Sequence, residues 1–169
     1  MADTPWLTRV EQETWIALVN VAMRLEGNLD QHLRRDGGIT FAEYLVLAML
    51  SENLDRTLTL SELAARTNSS ASRMSHIITR LEKREWVVRQ PSPHDGRTTL
   101  AFLTDAGLDT VLRLAPLHAK YVRDLIFDIL DADDLAPLRV GLQKIADGIT
   151  PVSGRSHVPD PRPSEAPRP

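Results

Sequence analysis

The sequence predicts a mainly α-helical protein carrying one small β-hairpin. Apolar residues recur three and four positions apart through most of the chain, capping patterns stand ahead of those runs, and the period gives way to strand composition once, near residues 87–103. The chain has 169 residues, a formal net charge of −3 and no cysteine. That length suits one compact domain with an extension. The lack of cysteine excludes disulfide scaffolds, Cys-ligated zinc, iron–sulfur clusters, catalytic thiols and thiol redox sensing.

The first helix is expected from about Thr8 to Arg35, with Trp15, Leu18, Ala22, Leu25 and Leu29 on one stripe and Ile16, Val19 and Met23 beside it. Its apolar surface is too wide for one side of a monomer. Gly37-Gly38 ends it. Thr40-Phe41-Ala42-Glu43 fits a capping box, followed by the apolar run Tyr44 to Leu50, which reads as a helix buried on most sides. Thr59-Leu60-Ser61-Glu62 is a second box, opening a short helix with Leu60, Leu63 and Ala64 inward. Ser70 caps a third helix whose Met74, Ile77, Ile78 and Leu81 form one buried stripe.

Val87 to Gln90 and Thr98 to Leu103 have strand composition around a turn-rich loop, Pro91 to Gly96. Thr104 caps a long helix carrying Leu108, Val111, Ala115, His118, Val122, Leu125 and Ile129, with Pro116 expected to kink it. Asp131 to Asp134 open a last helix with Leu135, Leu138, Leu142, Ile145 and Ile149. Six of the 11 prolines fall in the final 19 residues, so residues 150–169 read as a disordered or polyproline-like tail.

Helix, short helix, turn, third helix and hairpin is the order of a winged helix-turn-helix. In that fold one face of the third helix packs on the core while the other enters the major groove, roughly 12 Å wide. The non-core positions of the third helix are Ser72, Arg73, Ser75, His76, Thr79, Arg80 and Lys83, all donors, with no carboxylate before Glu82. Hydroxyls at Ser69, Ser70, Ser72 and Ser75 allow close approach to phosphates or base edges, and Ser61 presents the start of the preceding helix to a phosphate. Charge agrees by segment. Residues 1–57 hold 5 basic and 9 acidic side chains, residues 58–103 hold 7 and 4, and residues 104–169 hold 8 and 10. The positive excess is confined to the segment whose pattern predicts DNA contact.

Leu63-Ala64-Ala65-Arg66, Ser70-Ala71-Ser72-Arg73-Met74-Ser75, Arg80-Leu81-Glu82-Lys83-Arg84, Val87-Val88-Arg89, Asp95-Gly96-Arg97 and Leu103-Thr104-Asp105-Ala106-Gly107 resemble the MarR family of bacterial transcriptional regulators, over about residues 10–148. The resemblance implies a homodimer with interleaved terminal helices, a recognition helix in the major groove and a wing arginine reaching the minor groove or its phosphates. Arg97 matches that arginine. Asp95 matches the aspartate that orients the wing, through Arg97 or an arginine such as Arg80, and Thr98 follows it. Glu85 and Trp86 depart from the Gly and Leu usual in the family.

The expected parts are a dimerisation helix over residues 1–35, a winged helix-turn-helix DNA-binding domain over 39–103, dimerisation helices over 104–149 and the tail over 150–169. The apolar faces of the first, fifth and sixth helices argue for a dimer independently, since a winged unit of about 46 residues buries little alone. A two-fold dimer implies a pseudo-palindromic operator in double-stranded DNA. The resemblance also implies a small phenolic or anionic effector between dimer helices and winged domain, with Trp15, Val19, Met23 and Tyr44 as candidate lining. No cofactor, metal site or catalytic motif is expected: the histidines are dispersed, with only His32 and Asp36 at i,i+4 spacing, and P-loop, GxSxG, GxGxxG and HExxH patterns are absent. With neither a basic leader nor an apolar run long enough to span a bilayer, the expected location is the cytoplasm. The expected function is a repressor of transcription. A winged-helix adaptor between proteins, without specific DNA binding, is the alternative, with a small helical enzyme behind it.

Overall fold

The computed structural model describes residues 5–93 and 95–149; the expected tail over 150–169 lies outside the described residues. Helix α1 spans Arg9–Gly37, opened by a Thr8–Glu11 capping box and closed by Gly38 in the left-handed region at φ 64°. Gly38 there donates its N–H to the Arg34 carbonyl at 3.0 Å, and glycine adopts this conformation without steric cost. Helix α2 (Phe41–Glu52) begins at the predicted Thr40–Glu43 box. Strand β1 (Thr57–Thr59) leads into α3 (Leu60–Arg66), and α4 (Ala71–Glu82) follows with Ser70 as its cap. Strands β2 (Val87–Pro91) and β3 (Thr99–Leu103) precede α5 (Asp105–Val122). A π-helical turn over Arg123–Phe127 and helix α6 (Ala132–Gly148) complete the described chain.

The expected hairpin is one strand short of the sheet that forms. All pairing is antiparallel in the order β1-β3-β2, with Leu58 opposite Ala101 and Arg89 opposite Ala101 from the other side. Three residues are too few to display alternation, and the capping signal of Thr59 masked the strand that ends on it. Pro116 lies within α5 as expected, a second proline, Pro137, lies within α6, and a π turn follows α5.

The core sits where α2 is enclosed by α4, α5 and the sheet. Val46, Leu47 and Leu50 of α2 and Met74, Ile78 and Leu81 of α4 are fully buried. Each such aliphatic side chain contributes about 1.5–3 kcal/mol on leaving water. This burial is what pins one face of α4 and leaves the opposite face outward. The terminal helices differ sharply. Only Leu29, His32 and Leu33 of α1 are buried, and no residue of α6 is.

Gly107 fixes how α5 meets the sheet. A Cβ at that position would lie 2.3 Å from the Trp86 carbonyl oxygen, a backbone atom that cannot swing away. Thr104 locks the same corner: its N–H donates to the Trp86 carbonyl at 3.0 Å and its hydroxyl to the Glu85 carbonyl at 2.8 Å, while accepting from the Gly107 N–H at 3.1 Å. Glu85 itself adopts φ 60°. The left-handed turn that a glycine would favour is therefore kept with a glutamate in place.

Candidate nucleic-acid interface

Helix α4 is presented by four buried apolar residues on one side, Met74, Ile77, Ile78 and Leu81. Its outward surface carries Ser72, Arg73, His76 and Lys83, all exposed. Ser70 caps it by accepting the Arg73 N–H at 3.2 Å. Ser61 is exposed one residue into α3, its hydroxyl 3.1 Å from that of Thr59.

Two predicted residues, Ser69 and Asp95, are placed differently from the reading of the sequence, and Arg80 has a partner that the reading did not include. Ser69 is only 6% exposed, with its amide bonded to the Ala64 carbonyl at 2.8 Å, because it forms the tight turn between α3 and α4; its hydroxyl is not on the outer face. Arg80 keeps its exposed place on α4, 50% exposed, and also pairs with Glu43 of α2 at 2.6 Å. Asp95 bonds neither the Arg97 guanidinium nor Arg80. It accepts the Arg97 amide at 3.0 Å and the Thr98 hydroxyl at 2.9 Å, so it shapes the wing through the backbone and leaves the exposed Arg97 side chain out of that arrangement. These two bonds hold the Asp95 carboxyl below the usual carboxylate range.

Glu43 is a carboxylate at 3% exposure. Burial pushes its pKa up, but the Thr40 amide, the Arg80 guanidinium and the Thr40 hydroxyl outweigh that and hold it below the ordinary value. Arg73 approaches Glu26 of α1 at 3.7 Å, a loose pair between exposed side chains. Ser75 is half-buried, and its carbonyl accepts from Arg89 of β2 at 2.7 Å. Arg89 was not singled out as a site residue. Its signal was the charge at an intermediate position of a wing strand, which alone does not tell a surface residue from a bridging one.

A cleft of about 590 Å³ lies between α1, the start of α2 and α4, lined by Met23, Glu26, Asp30, Arg34, Arg73 and Arg80 among others. Of the four predicted effector residues, Met23 alone lines it. Trp15 is 57% exposed on the outer stretch of α1, Val19 is half-buried beside it, and Tyr44 faces the core with its ring 4.7 Å from that of His118. Burial, with the Glu52 charge adding, pushes the Tyr44 phenol up to about 12. Helical spacing aligns Trp15, Val19 and Met23 along α1, where Trp15 and Met23 stay 57% and 78% exposed.

His32 and Asp36 meet at 3.3 Å, with Arg35 also on the ring nitrogen at 3.1 Å and Tyr121 stacked at 4.0 Å. Among the described residues, no three His, Asp or Glu side chains converge as metal ligands. No helix of the described residues is long and apolar enough to cross a membrane.

A capped helix held against a three-helix core, with its polar face outward and a three-stranded wing alongside, defines a winged helix-turn-helix protein of the DNA-binding class. A MarR family model matches residues 37–98. Sco3205, a MarR family transcriptional regulator from Streptomyces coelicolor solved in complex with DNA, is 36% identical, with 91% of this chain and 96% of that chain covered and a TM-score of 0.81. AbsC, another MarR family transcriptional regulator from Streptomyces coelicolor, is 37% identical over 86% of this chain and 97% of its own, with a TM-score of 0.79. The HTH-type transcriptional regulator MhqR of Bacillus subtilis (strain 168) is 22% identical over 120 residues, 71% of this chain and 81% of that protein. The chain belongs to the MarR family, and it is a transcriptional regulator rather than an enzyme.

Proposed function

We propose that this protein is a homodimeric repressor that binds a pseudo-palindromic operator in double-stranded DNA and releases it on taking up a small phenolic or anionic molecule. The observation that carries the reading is the outward face of α4, where Ser72, Arg73, His76 and Lys83 stand without a carboxylate among them. In this proposal Arg73 reads a guanine edge, and Ser61, Ser70, Ser72, Ser75 and His76 meet phosphates and bases. Arg80 supports the flank of α4 while paired to Glu43. Asp95 and Thr98 shape the wing so that the exposed Arg97 reaches the adjacent groove.

Two subunits are proposed because the outer part of α1 and all of α6 expose apolar stripes: Trp15 is 57% exposed, Leu138 40% and Ile145 42%. In that arrangement residues 1–35 and 104–149 hold the dimer and residues 39–103 read DNA. The half-sites would lie about one helical turn apart, roughly 34 Å. The effector is proposed to enter the cleft between α1 and α4, beside Met23, Arg73 and Arg80, where it would shift α4 against the rest of the fold.

The test is a salt titration of binding to duplex DNA by the wild type and by Arg97→Ala. Affinity should fall steeply with salt for the wild type, and Arg97→Ala should bind all sequences more weakly with a log–log slope shallower by about one. Absence of duplex binding even at low salt would favour the protein–protein adaptor. An unchanged slope for Arg97→Ala would remove Arg97 from the interface.

A further inference from the structure

We infer that Arg89 is a positioning residue that fixes the angle at which α4 is offered to DNA, coupling the wing and the recognition helix into one rigid reader. The inference rests on the DNA-binding reading above. It comes from where the donors of Arg89 go. Its Nη2 donates to the Ser75 carbonyl at 2.7 Å and to the Thr79 hydroxyl at 2.6 Å, while its Nε makes an ion pair with Glu82 Oε2 at 3.1 Å without a hydrogen bond. The Arg89 amide adds a bond to Glu82 Oε1 at 3.2 Å. Ser75, Thr79 and Glu82 are spaced four and three residues apart, so they form one stripe along two turns of α4.

That stripe is distinct from the apolar one. Met74, Ile77, Ile78 and Leu81 hold the helix by contacts that have no direction, which resist removal of the helix better than they resist its rolling. The two bonds from Nη2 are directional and charge-assisted, and the ion pair with Glu82 adds attraction along the same stripe. Arg89 is 27% exposed, so water and salt weaken its bonds less than those of a surface pair. Strand β2 is paired with β3 along its whole length, Arg89 standing opposite Ala101, so whatever holds Arg89 holds the wing. With its donors turned onto α4, Arg89 acts through that helix. Phosphate attraction tolerates a small roll of α4, whereas base-edge hydrogen bonds do not.

The test compares the wild type with Arg89→Ala, Arg89→Lys and Thr79→Val, each checked for folding by thermal unfolding. Affinity is measured across salt for the duplex the wild type selects from a random pool and for random duplex. The operator-to-random ratio should fall about tenfold or more in Arg89→Ala, the worth of one well-placed base contact. It should fall in the same direction in Thr79→Val and be only partly restored in Arg89→Lys, with the wild-type salt slope kept in all three. A slope shallower by about one with an unchanged ratio would make Arg89 a phosphate contact and overturn the inference. A retained ratio in Arg89→Ala and Thr79→Val would overturn it as well, leaving a merely structural bridge. Should Arg89→Ala fail to fold, Thr79→Val alone decides, by whether the ratio falls. A wild type with no preferred duplex defeats the repressor reading itself, and this inference with it.

Discussion

His118 of α5 is 8% exposed, with the Tyr44 ring at 4.7 Å, the Phe41 ring at 6.0 Å and its Nδ1 without a hydrogen-bond partner. Burial, with His32 nearby adding to it, pulls its pKa down to about 4 from the ordinary 6.5. The folded protein therefore keeps His118 neutral at pH values where the unfolded chain binds a proton. Stability should begin to fall as pH drops below about 6.5, and this residue should account for a loss of about 3 kcal/mol by pH 4. Replacing His118 with Phe removes the titration while keeping a ring there. Urea unfolding from pH 7 to 4 should show a shallower decline for His118→Phe, and equal declines would assign the effect elsewhere. None of this was legible in the sequence, where His118 was one more position on a helical stripe.

Helix α5 shows how a local motif becomes a fixed packing geometry. Gly107 lies in the first turn, against the Trp86 carbonyl at 2.3 Å from any added Cβ. Gly107→Ala should gain about 1 kcal/mol in helix propensity and lose about 3 in forced separation, a net loss of about 2 kcal/mol. A stability equal to or above wild type in denaturant unfolding would mean that α5 shifts freely on the sheet. The helices, their caps at Thr40, Thr59, Ser70 and Thr104, and the apolar stripe of α4 were all legible, because capping and periodicity are local signals. Strand β1 was not, since its identity comes from pairing with β3 rather than from its own three residues. The outward face of α4 was legible at Ser72, Arg73 and His76. The burial of Ser69 was not, being set by the turn between α3 and α4, nor was the pairing of the exposed Arg80 with Glu43 on another helix. Arg89 was missed for the same reason, being defined by partners on α4.

For the molecule as a whole, the average charge conceals its distribution. A net of −3 would argue against a nucleic-acid partner, yet the 46 residues from 58 to 103 carry 7 basic against 4 acidic side chains. The acidic segments on either side are those whose helices expose apolar stripes, along α1 and α6. The positive excess lies in the segment that holds α4 and the wing, and in the proposed dimer a second copy would cover the two terminal helices. The proposed two-fold repressor joins both features. Its most direct test is selection of bound duplexes by the full-length protein from a random pool at moderate salt. Enrichment of an inverted repeat with half-sites about one helical turn apart is the expected result. Enrichment of nothing, or of a single asymmetric site bound by one subunit, would contradict it.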